Sequence, residues 1–265
     1  MSPNGTSTTG VSPAVVSPNG PSTSGLALTG IDPHGVSASG AQITSDARGE
    51  PLAGAGLVGS RWVGHVSDGS TLALRLDAAA ANGDRWAYKV SAYSAGAWRP
   101  LCVDETGAPA FAESVTGTWN PQQGVMGGGA YNPLAGDFTL ACRDSSIAKC
   151  LDFGYAPWRG RARELAACVR ALRADFCGDG TPYTVSGTLI NLYDDAGIQG
   201  DTAAWTVEAA WTPDGAACIT NLKNTRFSQV AHQVPSCWGH TLTAQASCGS
   251  GFAGDVRIIT ELQSP

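Results

Sequence analysis

The stretch RGRARELAACVRALRADFCGDG, residues 159–180, carries the clearest helical pattern in this chain. Its apolar positions follow the spacing i, i+3, i+4, i+7 and i+11, at Leu165, Cys168, Val169, Leu172 and Phe176. Because this spacing puts the side chains on one face, it predicts a helix over about 159–176 with that face buried.

The residues that follow predict how this helix ends. Cys177 is expected to pin the helix end through a disulfide, and Gly178 to adopt the left-handed conformation that terminates a helix. Asp179 and Gly180 then turn the chain toward the next strand. The arginines of the helix are expected on its solvated face: Arg159, Arg161, Arg163, Arg170 and Arg173.

The sequence on both sides of the helix is typical of strands. Residues 71–76 and 86–90 alternate in side-chain size, and Asn82-Gly83 between them predicts a hairpin turn. Further strands are predicted at 98–103, 138–142, 189–193, 203–211, 217–221 and 255–262. Residues 70–265 are therefore expected to form a mainly β domain with one main helix.

Cysteine usage indicates an oxidising compartment. The chain has eight cysteines, an even number: Cys102, Cys142, Cys150, Cys168, Cys177, Cys218, Cys237 and Cys248. No CxxC pair supports the alternative of structural zinc. We expect four disulfides in a secreted or cell-envelope protein, with no signal peptide in this chain. The sequence does not select among the possible pairings.

Glycine recurs every five residues over most of residues 5–69. The third position of many pentads is apolar: Leu28, Ile43, Leu52, Leu57 and Trp62. The pattern resembles degenerate pentapeptide repeats, which form a quadrilateral β-helix with the central residue pointing inward. This resemblance implies a β-solenoid segment over residues 26–69. Residues 1–25, rich in Ser, Thr, Pro and Asn, are expected to form a flexible or partly ordered stalk.

Composition excludes two classes of partner. With 16 basic and 22 acidic residues, the chain lacks the positive charge of a nucleic-acid-binding protein. No apolar run is long enough for a transmembrane span.

Three stretches, residues 141–158, 173–180 and 207–218, are similar to parts of the ADYC-domain proteins, a bacterial secreted or lipoprotein-like family. The tetrapeptide that gives the family its name is here Ala174-Asp175-Phe176-Cys177, followed by Gly178, with Phe in place of Tyr. The resemblance covers roughly residues 70–220. It implies a cell-envelope or extracellular setting and no particular reaction.

Catalytic motifs are absent from the sequence, which has no GxSxG or HExxH. A set of aspartates could bind calcium, although it lacks the DxDxDG spacing: Asp179, Asp194, Asp195 and Asp201. Without such a site, no cofactor is expected. A pair of glycosidase carboxylates drawn from Asp175, Glu164 or Glu208 is a further alternative.

Three functions stay open on the sequence alone. The first is a non-catalytic extracellular module with a structural or binding role, whose partner is itself or a cell-surface glycan. The second is a secreted hydrolase or lyase acting on polysaccharide, and the third is a filament assembled through the repeats. Aromatic side chains that could stack on a sugar are Trp158, Trp205, Trp211, Trp238, Tyr155 and Tyr183.

Overall fold

A computed structural model of the chain describes residues 10–11, 28–31, 37–45, 52–66, 71–119, 131–132, 138–244, 248 and 251–263. The chain divides into two compact units. The N-terminal unit holds the described residues up to 148, and the C-terminal unit holds those from 149 onward.

The N-terminal unit is built almost entirely of β-strands. They are β1 (Gly10–Val11), β2 (Leu28–Ile31), β3 (Ser37–Ser39), β4 (Gln42–Ser45), β5 (Leu52–Ala53), β6 (Arg61–Val66), β7 (Thr71–Asn82), β8 (Arg85–Ser94), β9 (Ala97–Pro100), β10 (Ala112–Thr116), β11 (Thr118–Trp119), β12 (Tyr131–Asn132) and β13 (Phe138–Cys142). A short 3₁₀ helix, Gly54–Leu57, precedes β6.

Eight of these strands form one antiparallel sheet in the order β1-β13-β10-β8-β7-β6-β2, with β9 paired to β8. The predicted hairpin is present as β7 and β8, whose last pair is Asn82 and Arg85. The two loop residues are therefore Gly83 and Asp84, and Gly83 has the positive φ of 62° that the turn requires.

One face of this sheet is the core of the unit. Leu74, Leu76, Tyr88 and Phe138 are fully buried there. The indole of Trp62 on β6 meets the ring of Phe138 edge-on, with centroids 6.4 Å apart. These contacts join β6 to β13 across the sheet, so residues 61–66 belong to the same core as the strands after residue 70.

The glycine pentads predict burial correctly at several positions. Ile43, Leu57 and Trp62 are all buried in this core, and Leu52 packs against it. The strands that carry them pair antiparallel, and no solenoid coil is seen among the described residues of 26–69. A five-residue period indicates which side chains point inward. In this fold those side chains pack in the same core as the apolar residues of β7 and β8. The predicted stalk, residues 1–25, lies outside the described residues apart from β1.

The C-terminal unit combines a small sheet with helices. Helix α1 (Ser146–Asp152) leads into the unit, and its other elements are α2 (Ala162–Arg173), β14 (Asn191–Asp194), β15 (Thr206–Thr212), β16 (Gly215–Ile219) and β17 (Ile258–Leu262). The strands pair antiparallel in the order β14-β17-β15-β16. Short 3₁₀ helices at Pro157–Arg159 and Leu222–Asn224 and a π-helix at Phe227–Ala231 complete it.

All eight cysteines are paired, as predicted. The disulfide Cys102–Cys142 lies within the N-terminal unit. The C-terminal unit contains Cys150–Cys168, Cys177–Cys237 and Cys218–Cys248. Helix α1 is thus tied covalently to α2 by the first pair, and the segment after α2 is tied to residue 237 by the second.

The helix differs from its prediction at both ends and on one face. It spans Ala162–Arg173 rather than 159–176, and its last turn is closed by Ala174 in the left-handed conformation, with φ of 51°. The prediction that Gly178 ends the helix is wrong. The placement of Arg170 and Arg173 on a solvated face is also wrong, because these side chains are 0% and 1% exposed.

None of the described helices is both long and apolar enough to cross a membrane.

Candidate functional site around residues 170–180

The residues after α2 leave the helix in a tight, fully hydrogen-bonded turn. The backbone N–H of Ala174 donates to the carbonyl oxygens of Ala171 and Arg170. The N–H of Asp175 also donates to Arg170, at 2.9 Å. These bonds satisfy carbonyl groups that a helix end leaves without partners. They also point the carboxylate of Asp175 back toward the helix.

The Asp175 carboxylate lies in a buried ion pair with Arg170. Both side chains are 0% exposed, and one guanidinium nitrogen of Arg170 donates to Asp175 Oδ2. The N–H of Gly180 donates to the same oxygen at 2.9 Å. Burial raises the pKa of Asp175, and the positive charge of Arg170 opposes that rise.

Arg173 lies beside this pair as a second buried cation. Its Nη2 donates to the carbonyl oxygen of Gly180. Burial lowers the pKa of Arg173 to about 10, against the opposing attraction of Asp175. The loop of residues 175–180 therefore supplies a carboxylate and a carbonyl to two arginines of α2.

A second buried ion pair joins β15 to the start of the π-helix. Arg226 Nε and Nη2 donate to the two carboxylate oxygens of Glu208, at 2.9 and 2.8 Å. Thr260 Oγ1 donates to Glu208 at 2.8 Å, and the indole N–H of Trp211 donates to Thr260 at 2.8 Å. Both charged side chains are 0% exposed. Such a bidentate arrangement fixes geometry strongly.

Phe176 stands at the centre of an aromatic cluster. Its ring centroid lies 5.0 Å from Trp211, 5.1 Å from Phe227 and 6.3 Å from Tyr183. Phe227 in turn contacts Trp238, with centroids 5.9 Å apart. Since Phe176 is 1% exposed, this residue of the motif belongs to the core of the unit.

Two glycines bring the motif into direct backbone contact with the turn between β15 and β16. Gly178 has φ of 66°, and a Cβ built on it would lie 1.7 Å from the carbonyl oxygen of Asp214. A Cβ on Gly215 would lie 2.8 Å from the nitrogen of Gly178. The N–H of Ala216 donates to the carbonyl of Phe176 at 2.9 Å. Gly178 is therefore required by this close approach.

The disulfide between Cys177 and Cys237 joins the motif to the loop that contains Ser236. The N–H of Cys237 donates to Cys177 Sγ at 3.1 Å, and Ser236 Oγ donates to Asp179 at 3.1 Å. The backbone of Thr181 also donates to Asp179, at 2.9 Å. This first of the calcium candidates thus lies in a partly exposed turn beside the disulfide.

The other calcium candidates are engaged by separate protein partners. Asp194 accepts a hydrogen bond from the Tyr155 hydroxyl at 2.8 Å, and Asp195 pairs with Arg257 at 2.5 Å. Asp201 accepts from Asn191 Nδ2 at 2.7 Å. Within the described part of the chain, no group of three or more His, Cys, Asp or Glu side chains is arranged to hold a metal ion.

The three glycosidase candidates are likewise held by arginines. Asp175 and Glu208 lie in the buried pairs described above, and Glu164 accepts from Arg161 Nη1 at 3.0 Å. A general acid or nucleophile must reach the substrate. Two of these three carboxylates have no exposed surface in this structure.

Half of the aromatic residues predicted to stack on sugar belong to the core. Tyr155, Tyr183 and Trp211 are 0%, 5% and 0% exposed, whereas Trp158, Trp205 and Trp238 are partly exposed. An aromatic pair that the sequence prediction missed lies in the N-terminal unit and consists of the exposed Tyr93 and the partly exposed Trp98. Its signal in the sequence is weak, because the two residues are separated by a turn.

These observations define a disulfide-stabilised, β-rich domain whose motif holds a helix, a hairpin turn and a buried ionic network together. The family model that matches the chain is the ADYC domain, over residues 54–225, and the chain belongs to that family. The match begins within the glycine pentads, at an earlier residue than the predicted 70. No curated protein and no solved structure matches the chain.

Proposed function

We propose that this protein is a non-catalytic extracellular module with a structural or binding role at the cell surface. The observation that carries the proposal is the use of the motif itself. Asp175, its one ionisable residue, is paired with Arg170, hydrogen-bonded to Gly180 and removed from solvent. A carboxylate in that position balances the buried charge of Arg170 and presents no exposed surface to a substrate.

The extracellular setting is supported by the disulfides. The chain has four disulfides, one within the N-terminal unit and three within the C-terminal unit, and such bonds persist in oxidising compartments. Mass spectrometry of non-reduced peptides from the native source tests this part. Four bridged peptides with these pairings are expected, and eight free thiols would contradict the proposal.

The non-catalytic role is tested with Asp175→Asn. If Asp175 has a structural role, the variant loses stability toward urea, and both it and the parent protein lack turnover on a panel of neutral and acidic polysaccharides. If Asp175 is catalytic, the parent protein degrades one of these polymers and the variant keeps its stability while losing that activity. Reducing-end release and urea unfolding distinguish the two results.

The alternative of a filament depends on the repeats, and half of their twelve pentad glycines precede β3. Deleting residues 1–69 would remove Trp62 and the strand that pairs with β7, so the shorter deletion of residues 1–27 is the suitable test. Light scattering of both proteins at high concentration measures assembly. A parent protein that assembles only when residues 1–27 are present would favour the filament over the module.

A further inference from the structure

The outward face of the N-terminal sheet carries a cluster that the core does not use. Strand register places Arg61 beside Arg75, Arg75 beside Ser91, and Tyr93 beside Trp98. These side chains therefore point to one face of strands β6 to β9. The alternate residues Trp62, Leu74 and Val90 point to the buried face.

Trp98 is the centre of this cluster. The ring of Tyr93 meets it edge-on, with centroids 5.4 Å apart. The guanidinium carbons of Arg75 and Arg61 lie 4.7 and 5.5 Å from the indole centroid. The outward face thus presents two aromatic rings and two guanidinium groups in mutual contact.

Much of this cluster is open to solvent. Tyr93 is 47% exposed and Val63, on the same strand as Arg61, is 46% exposed, whereas Trp98 is partly buried. Tyrosine, tryptophan and arginine in contact at a partly exposed surface are residue types that contribute strongly to binding energy at recognition surfaces. The fold gains no buried core from them, since the opposite face of the same strands already supplies it.

The two arginines are in different electrostatic situations. Arg75 Nε donates to Asp77 at 2.5 Å, and Ser91 Oγ donates to the other oxygen of that carboxylate. Arg75 is thereby held beside Trp98 with its charge balanced. No carboxylate among the described residues forms an ion pair with Arg61, so its planar set of N–H donors faces solvent beside the ring.

We propose that this face, defined by Arg61, Arg75, Tyr93 and Trp98, binds an acidic polysaccharide. A pyranose ring stacks its C–H face on the exposed ring of Tyr93, Trp98 holds Tyr93 and Arg61 in place, and a uronate carboxylate accepts two hydrogen bonds from Arg61. The Tyr93 hydroxyl remains for a sugar hydroxyl group. The proposal names a ligand for the cell-surface binding role proposed above and in that respect rests on it.

A polysaccharide fits this surface better than a protein partner. The cluster lies on the outward face of the sheet, and Val63 is the one large exposed aliphatic side chain beside it. A stable protein interface requires a larger apolar centre surrounded by a rim that excludes water. An extended sugar chain needs only successive contacts along the strands.

Binding to immobilised polygalacturonate tests the proposal, with a neutral glucan and polyglutamate as reference polymers. The intact protein is expected to bind polygalacturonate, and added salt is expected to weaken the binding. Trp98→Ala and Arg61→Gln are each expected to weaken it by about tenfold or more. The matched control is Arg99→Gln, because Arg99 neighbours Trp98 on β9, is exposed and pairs with Ala92 of the buried face.

Four results would overturn the proposal. They are no binding to polygalacturonate, equal binding to the neutral glucan, equal binding to polyglutamate, and equal losses in Arg61→Gln and Arg99→Gln. The melting temperature of each variant shows whether it is folded, and Arg61→Gln, at an exposed position, tests the site independently of Trp98→Ala. A binding failure without polymer degradation leaves the non-catalytic module intact, whereas degradation of polygalacturonate would overturn that function alone.

Discussion

Gly178 and Asp214 touch through their backbones, because a Cβ on Gly178 would lie 1.7 Å from the Asp214 carbonyl oxygen. The contact joins the loop after α2 to the turn between β15 and β16. No rotamer change can relieve such an overlap, since both partners are main-chain atoms. The requirement for glycine at position 178 thus comes from packing between two segments that are 36 residues apart in the sequence.

Replacing Gly178 with alanine is expected to destabilise the protein by more than about 4 kcal/mol. The added methyl group clashes with the Asp214 carbonyl, and alanine must also adopt the φ of 66°. Urea unfolding followed by tryptophan fluorescence measures the loss.

Gly160→Ala is the matched control for this substitution. Gly160 has a similar φ of 75°, but a Cβ built on it meets nothing within 4 Å. Its cost is expected to be about 1–2 kcal/mol, from the left-handed conformation alone. Equal losses in the two variants would show that the contact with Asp214 has no energetic effect.

Replacing Asp175 with asparagine is expected to destabilise the protein by about 3–5 kcal/mol. The change leaves the guanidinium of Arg170 buried without its counter-charge. Asp179→Asn serves as the control, because Asp179 forms its hydrogen bonds in a partly exposed turn. A loss below about 1 kcal/mol is expected there.

Combining Asp175→Asn with Arg170→Gln tests whether the two charges act as a pair. Removing both charges is expected to cost less than the sum of the single losses. Additive losses would indicate that Asp175 acts through Gly180 and not through Arg170.

The sequence predicts the buried apolar positions and several element bounds of this protein well. The stripe of Leu165, Cys168, Val169 and Leu172 is buried as expected, because a periodic pattern of apolar residues is a local property. Strand β13, at Phe138–Cys142, has the predicted bounds. The loop Pro213-Asp214 likewise joins two strands as its turn residues indicate.

The burial of the charged side chains around the motif could not be predicted in the same way. Arginine is most often a surface residue, so Arg170 and Arg173 were expected in solvent. Their partners include Asp175 and the carbonyl groups of Gly180 and Pro213, and Pro213 is brought near by the hairpin. Burial of such charges depends on tertiary contacts that no periodicity in the helix reports.

Removing the bridge between Cys177 and Cys237 is expected to cost more than removing that between Cys150 and Cys168. The first closes a loop of 60 residues and the second a loop of 18. Loop-closure entropy gives about 4 kcal/mol for the longer loop and about 3 kcal/mol for the shorter.

Double serine variants at each bridge allow the comparison, and unfolding by urea measures it. The longer bridge also fixes the motif beside the loop containing Ser236. A larger loss at Cys150–Cys168 would show that strain or residual structure outweighs chain entropy in this domain.

Alkaline stability is expected to depend on Tyr155. Burial is the main cause that raises the pKa of Tyr155 in the folded protein well above its ordinary value of 10.0, and its hydrogen bond to Asp194 adds to the rise. Above pH 10 the unfolded chain releases this proton while the native state retains it. The native state then binds more protons, so its stability falls as the pH rises, by up to about 1.4 kcal/mol per pH unit from this group.

Tyr155→Phe removes this dependence together with the hydrogen bond. At pH 7 the variant is expected to be less stable than the parent by about 1–2 kcal/mol, because Asp194 loses a donor. Between pH 10 and 11 its stability is expected to fall less steeply, so the two curves converge. Urea unfolding at pH 7, 9, 10 and 11 measures both curves. Parallel curves across this range would contradict the prediction, because they would mean that the Tyr155 hydroxyl has the same pKa in the folded and unfolded chains.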